Sequence, residues 1–195
     1  MSYEKDHKEF VALVAAWARL GMANRGSRHA RPRYADVRVI DDIALHRTLK
    51  SEVGELDGAI VLPAPPIADF VGWTVFLWAK WEFSERSQRA KVEVGFIKDR
   101  ANAYYFRFEH GPAEGKHRYW HSQFTPKFSA LESPPSRWAV HNSTPAFPIA
   151  CANCAGLLVV AAISLYGASL DAGLMTTINS ISLRDDYLRN VLRAA

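Results

Sequence analysis

Three histidines lie around one turn in the stretch FEHGPAEGKHRYWHSQF, which runs from Phe108 to Phe124. Imidazoles exchange protons near neutral pH, so a pair of them can act as general base and general acid in phosphotransfer. If the stretch is a hairpin, His117 and His121 alternate onto one face of a strand, with His110 across the turn. A metal-independent nuclease using His117 and His121 is therefore one functional hypothesis. The simpler interpretation is that the imidazoles are hydrogen-bonded to backbone groups. Glu109, the nearest carboxylate that could orient them, points to the other face of that hairpin.

A second chemical candidate is the CxxC of Cys151 and Cys154, which are the only cysteines in the chain. Two thiolates at this spacing can coordinate one zinc ion, but a tetrahedral site needs two further ligands. His141 with His117 or His121 would have to supply them, so zinc binding is an alternative. A redox dithiol has weaker support, because no strand is predicted before the pair and the run after it is apolar. The simplest interpretation is two small apolar side chains at a helix start.

Composition narrows the functional classes without choosing one. The chain has 195 residues, for which a single domain over 1–195 is predicted, and its 24 basic against 20 acidic residues give a net charge of +4. That charge does not require a polyanionic partner. Hydrolase (GxSxG) and phosphate-binding (GxGxxG, GxxxxGK[ST]) motifs do not occur, and no cofactor is expected. The N-terminal MSYEKDHKEF has no apolar run behind basic residues, which predicts a cytoplasmic protein.

One long apolar segment, Ile149 to Leu170, is long enough to cross a membrane. Three features argue against a membrane span, and hence against a membrane as a partner. They are Asn153 near the start of the segment, Asp171 after its end, and the lack of flanking Lys or Arg. The segment instead predicts a buried helix from about Asn153 to Tyr166. A last amphipathic helix is predicted in SLRDDYLRNVLRAA.

Apolar periodicity predicts two N-terminal helices. The first runs from about Lys5 to Leu20, and Gly21 is placed to end it. The second lies in DDIALHRTLKSEVGEL, begins at Asp41 or Asp42, and has four apolar residues toward the core: Ile43, Leu45, Leu49 and Val53. A proline-rich bend, PAPPIADF, then leads into an extended region.

From about 73 to 124, alternation and turn signals predict a four-stranded antiparallel meander. In the first hairpin, opposite charges favour Glu82 facing Lys91 and Lys80 facing Glu93. The second hairpin places Phe96 against Phe106. The third has the predicted pairs His110 with His117, Glu109 with Arg118, Arg107 with Trp120, Phe108 with Tyr119, and Phe106 with His121. The element order predicts an α+β fold, with the N-terminal helices, the apolar helix and the C-terminal helix packed on the sheet.

The outward face of this predicted sheet is unusually aromatic and basic. It carries Phe76, Trp78, Lys80, Lys91, Glu93, Tyr105, Arg107, Arg118, Trp120 and Phe124. A face of this kind is covered by a helix of the chain or by a partner. For a partner, the predicted anchors are Trp78, Arg107, Arg118 and Trp120.

Single-stranded nucleic acid is the alternative occupant, because bases stack on aromatic side chains and an arginine-rich loop can hold phosphates. The candidate loop residues are Arg25, Arg28, Arg31 and Arg33. No RNP-type signature is present, which favours a protein partner.

HRYWHSQF, together with PAFPIACANCAGLLVVAAISLYG, resembles segments of small bacterial proteins associated with defence loci. The resemblance covers these two segments and maps no motif residue by residue. The sequence thus predicts a non-enzymatic binding or assembly subunit of a larger bacterial complex, with a defence system as the setting that the resemblance implies.

Overall fold

The computed structural model describes residues 2–25, 37–62, 71–99, 103–110, 119–125, 128–131, 147–149, 151 and 153–166. Its helices are α1 (Tyr3–Arg25), α2 (Asp42–Thr48) and α3 (Cys154–Tyr166). Its strands are β1 (Val53–Glu55), β2 (Ile60–Leu62), β3 (Thr74–Phe83), β4 (Gln88–Ile97), β5 (Ala103–His110), β6 (Trp120–Phe124) and β7 (Phe147–Pro148). The predicted α+β fold with an antiparallel meander sheet is confirmed. The predicted C-terminal helix lies outside the described residues, and the single domain stays a prediction.

The sheet is larger than the predicted meander. Neighbouring strands follow the order β1-β3-β4-β5-β6-β7, and β2 pairs with β3 beside β1. Every pairing between these seven strands is antiparallel. The added strands β1, β2 and β7 have two or three residues each, too few for alternation to reveal them in the sequence.

Helix α1 continues through Gly21 to Arg25, so the predicted end at the glycine is wrong. On its inner side, the ring of Phe10 lies 5.7 Å from the ring of Trp81, measured between centroids. Gly21 marks the place where α1 passes close to β2, because a Cβ atom there would overlap the carbonyl oxygen of Val61. The glycine is required by packing rather than by helix termination.

Helix α2 is shorter than predicted and buries less. Asp41 is its N-cap, and the Asp41 carboxylate accepts a hydrogen bond from the backbone N–H three residues later at 2.8 Å. Leu45 is buried as expected, but Ile43 is 82 % exposed and Val53 is 63 % exposed. The predicted core roles of Ile43 and Val53 are therefore wrong, since the chain leaves the helix and enters β1 at Val53.

The β3–β4 hairpin has the predicted strands in a register displaced by two residues. Lys91 faces Lys80 rather than Glu82. Each lysine finds a carboxylate elsewhere: Lys80 Nζ lies 2.8 Å from Glu55 on β1, and Lys91 Nζ lies 2.7 Å from Glu93 on its own strand. An even displacement leaves every side chain on its predicted face.

The next two hairpins depart from prediction by different amounts. Between β4 and β5, Phe106 faces Val94 rather than Phe96, again a displacement of two. Between β5 and β6, His121 faces Glu109 rather than Phe106, a displacement of three. An odd displacement turns each β6 side chain to the opposite face, so Trp120 no longer shares a face with Arg107.

The sheet has two faces, which we call the helix face and the outer face. The helix face carries Val75, Leu77, Ala79, Trp81, Val92, Val94, Phe96, Phe106 and Phe108. Helices α1 and α3 pack against each other on this side, α1 against β2 and β3 and α3 against β4 and β5. The outer face carries Phe76, Trp78, Lys91, Glu93, Tyr105, Arg107, Glu109 and His121. Helix α3 is a buried helix as predicted, and no helix in the described part of the chain is long and apolar enough to cross a bilayer.

Candidate functional site

Trp78, one of the predicted anchors for a partner, is buried in the structure. Only 3 % of its surface is exposed, and its indole N–H donates to the carbonyl oxygen of Leu56 at 2.9 Å. Beside it, Tyr105 stacks on Phe128 with ring centroids 5.6 Å apart. In the described part of the chain, the contacts that cover these two residues come from the irregular segments 56–59 and 128–131. Trp78 is therefore placed to stabilise the fold, not to anchor a ligand.

A ladder of ion pairs crosses the remaining part of the outer face. Glu93 is buried, contacts Lys91 at 2.7 Å, and accepts from the Ser129 N–H at 2.7 Å. Arg107 Nε lies 3.1 Å from Glu109 Oε1. Lys91 and Arg107 thus already have carboxylate partners within the chain. Bound phosphate would have to compete with these carboxylates for both cations.

His121 is the histidine that the structure describes most fully. Its Nδ1 lies 3.0 Å from the backbone oxygen of Tyr119, and its Nε2 lies 3.5 Å from Glu109 Oε1. A histidine oriented by a carboxylate is a general acid–base arrangement. His121 is only 2 % exposed, however, so a substrate does not reach the imidazole in this structure. The pair ties β5 to β6, while His117 lies outside the described residues.

An aromatic surface does exist, but on the helix face of β5, β6 and β7. Its exposed members are Tyr104, Phe124 and Phe147, with 51 %, 39 % and 53 % of their surfaces exposed. Phe106 and Trp120 are half-buried among them, and the ring centroids of Phe106 and Phe124 are 4.6 Å apart. We call these five residues the aromatic patch. Trp120, one of the predicted anchors, belongs to this patch because of the odd register of β6.

The patch lies on three neighbouring strands without basic side chains between its members. The positions of β5, β6 and β7 that share this face carry aromatic residues, His110 and Ser122, but neither Lys nor Arg. His110 packs edge-on against Trp120, with ring centroids 5.0 Å apart. Arg107 is on the opposite face of the sheet. Within the described strands, the aromatic patch therefore has no interleaved basic side chains, whereas on the outer face Lys91 Nζ lies 5.0 Å from the ring centroid of the buried Trp78.

The CxxC segment joins β7 to α3 and contacts a carboxylate from the other end of the chain. Asp6, on α1, is fully buried and accepts hydrogen bonds from the backbone N–H groups of Cys154 at 3.0 Å and Ala155 at 2.9 Å. Burial raises the pKa of Asp6, with the two backbone N–H groups acting in the opposite direction.

These contacts bear directly on the zinc hypothesis. Burial, assisted by the Asp6 carboxylate, raises the pKa of the Cys154 thiol far above its ordinary value, which disfavours the thiolate that zinc requires. Among the residues that the structure describes, no group of three His, Cys, Asp or Glu side chains could hold a metal ion. His141, the proposed third ligand, lies outside those residues.

Several predicted binding residues also lie outside the described part of the chain. They are Arg28, Arg31, Arg33, Arg118 and His117. Arg25 ends α1, but its side chain is not described. The arginine-loop interpretation therefore stays a prediction.

Two residues at these sites, Glu109 and Asp6, were not predicted from the sequence. Glu109 becomes the partner of His121 only in the observed register, which the pairing of charges along the sequence does not reveal. Asp6 looks like an ordinary acidic residue in the first turn of a helix, which is favourable by itself. Nothing local in the sequence indicates that Asp6 reaches a helix start at residue 154.

Comparisons with protein families, with curated proteins and with solved structures find nothing that matches this chain. Its function has to be inferred from its own residues.

Proposed function

We propose that this chain is a non-enzymatic binding and assembly subunit that meets a protein partner through the aromatic patch. The observation that carries the proposal is the exposure of Tyr104, Phe124 and Phe147 on adjacent strands of one face. Soluble proteins rarely leave large aromatic side chains grouped and uncovered, and grouped aromatics dominate binding energy in protein interfaces.

Charge favours protein over nucleic acid as the occupant of the patch. Binding of single strands depends on cations that follow the phosphates beside the stacked bases. The strand positions around Tyr104, Phe124 and Phe147 lack Lys and Arg, and the nearest strand arginine, Arg107, is paired with Glu109 on the other face. An apolar protein surface matches this chemistry better than a polyanion does.

Strand β7, the last strand of the sheet in the described part of the chain, indicates how the partner docks. Strand β7 is short, and its Pro148 has no N–H group with which to pair a further strand. Addition of a partner strand to this edge is therefore disfavoured. The partner is expected to pack apolar side chains onto the face of the patch instead.

The test compares substitutions in the patch with a matched substitution elsewhere. Tagged wild type, Phe124→Ser, Phe147→Ser and the control Ile43→Ser would be recovered from the native host after nuclease treatment. Ile43 is an exposed apolar residue on α2, outside the sheet. We expect wild type and Ile43→Ser to retain one stoichiometric protein, and each patch variant to bind it about 30-fold more weakly.

Thermal melts would first establish that the variants are folded. Equal retention by all four proteins would remove the patch as the binding site. Loss of all captured material on nuclease treatment would favour the nucleic-acid alternative, and light scattering that shows a dimer would identify a second copy of the chain as the partner.

A further inference from the structure

The CxxC segment lies between a strand and a buried helix, which is the context that the sequence did not reveal. Strand β7 pairs with β6, and the Ile149 N–H continues this pairing by donating to the Trp120 carbonyl oxygen at 3.0 Å. Helix α3 then begins at Cys154. The two cysteines therefore stand three residues apart in the chain, between a paired strand and the first residue of a helix.

The two cysteines are both reduced, and their surroundings differ. Cys154 is fully buried, whereas Cys151 is half-buried, with its thiol donating to the backbone oxygen of Asn153 at 2.9 Å. Attack on a dissolved disulfide requires an accessible sulfur, and a shielded second sulfur reacts only within the protein. Their environments therefore suit Cys151 to attack a dissolved disulfide and Cys154 to react within the protein.

Asp6 supplies a base beside the shielded sulfur. Its carboxylate accepts a hydrogen bond from the backbone N–H of Cys154 at 3.0 Å and lies in the core, away from water. The start of α3 has a further acceptor of its own, because the Asn153 side chain accepts from the Gly156 N–H at 2.6 Å. A buried carboxylate held at the backbone N–H of a buried cysteine is placed to take the proton of that cysteine's thiol.

We propose that Cys151 and Cys154 form a dithiol–disulfide couple that reduces disulfide substrates, with Asp6 as the base for Cys154. The Cys151 thiolate attacks one sulfur of a substrate RSSR, the S–S bond breaks, and the first thiolate RS⁻ leaves. Cys154 then transfers its proton to Asp6 and attacks the Cys151 sulfur, which releases the second RS⁻. The chain is oxidised to the Cys151–Cys154 disulfide, and RSSR accepts two electrons and two protons to become two thiols.

The test uses the full reduced chain and glutathione disulfide as the probe. Acid quenching, alkylation of the remaining thiols and intact mass would give each redox form against time. We expect wild type to form an intramolecular disulfide. Cys154→Ser should stop at a mixed disulfide between Cys151 and glutathione, and Cys151→Ser should not react at Cys154.

The variant Asp6→Asn distinguishes a role of Asp6 as a base from a role as a helix cap. The amide oxygen of asparagine still accepts hydrogen bonds but does not take the proton. We expect the formation of the mixed disulfide to keep its rate and the resolution step to slow on the order of a hundredfold. Wild type that keeps two alkylatable thiols, or that stops at the mixed disulfide, overturns the couple. Resolution by Asp6→Asn at the wild-type rate overturns the role of Asp6 and leaves it as a cap. If Asp6→Asn does not fold, the contrast between wild type and Cys154→Ser still decides the couple.

Discussion

Replacing Gly21 with alanine should destabilise this protein, although the same change normally stabilises a helix. In an open helix, alanine is favoured over glycine by about 1 kcal/mol. Here a new Cβ atom would overlap the Val61 carbonyl oxygen and lie 2.7 Å from its carbonyl carbon. Ordinary contact begins at 3.4 Å, so the carbon alone must retreat by 3.4 − 2.7 = 0.7 Å.

Neither side of this contact can yield cheaply. Val61 belongs to β2, whose pairing with β3 places it opposite Phe76 in the sheet. On the other side, α1 is held by Trp17 and its buried neighbours in the core. Overpacking against a fixed backbone typically costs about 1–3 kcal/mol. Because backbone atoms are on the receiving side, we expect the upper end, about 3 kcal/mol, and a fall in Tm of roughly 6 to 12 °C.

Urea unfolding followed by tryptophan fluorescence would measure this loss, with two matched controls. Arg19→Ala changes an exposed residue of the same helix and should be close to neutral. Gly72→Ala meets only the Lys98 side chain at 3.8 Å but has φ at +83°, and should cost about 1 kcal/mol. A Gly21→Ala protein as stable as wild type would refute the close approach of α1 to β2.

Two further predictions concern Trp78 and Asp6. Trp78→Phe removes the hydrogen bond to Leu56 and the contact with Lys91, so the free energy of unfolding should fall by about 1–2 kcal/mol. Partner capture should stay unchanged. Weakened capture by a fully folded variant would contradict the structural role of Trp78. Because burial raises the pKa of Asp6 above its ordinary 3.8, the folded chain holds this proton more tightly than the unfolded chain, and the associated stability is present at low pH and lost as pH rises through the folded-state pKa. The unfolding free energy of wild type minus that of Asp6→Asn should therefore fall as the pH rises above 3.8, the ordinary pKa of an aspartate, and a difference that does not change with pH would count against the buried carboxylate.

The turn between β3 and β4 explains the first error in register. The charge pattern favoured a six-residue loop, SERSQR, because it brings Lys91 opposite Glu82. The chain instead turns tightly, with hydrogen bonds between the backbones of Ser84 and Ser87 at 2.7 and 3.3 Å. Exposed ion pairs are worth little, and Lys80 can reach Glu55 on a strand that the sequence did not predict. Local turn hydrogen bonding therefore decided the register, and charge matching followed it.

The predicted face of an aromatic residue is correct only where the predicted register differs from the observed one by an even number of residues. Phe76, Trp78 and Tyr105 share the predicted face, since both displacements there are even. Trp120 and Phe124 changed faces with the odd displacement of β6. The candidate binding surface consequently moved from the outer face to the aromatic patch.

What the sequence determined by itself is the set of elements that rest on short-range periodicity: the apolar stripe of α1, the alternation of β3, β4 and β5, and the apolar helix α3. These patterns repeat every two to four residues, so neighbouring residues are sufficient to specify them. The tertiary structure alone decided the cover over Trp78, the parity of β6, the packing need for Gly21 and the meeting of Asp6 with Cys154. Each of these depends on residues far apart in the chain, whose contact arises from the burial of shared apolar surface and leaves no local pattern.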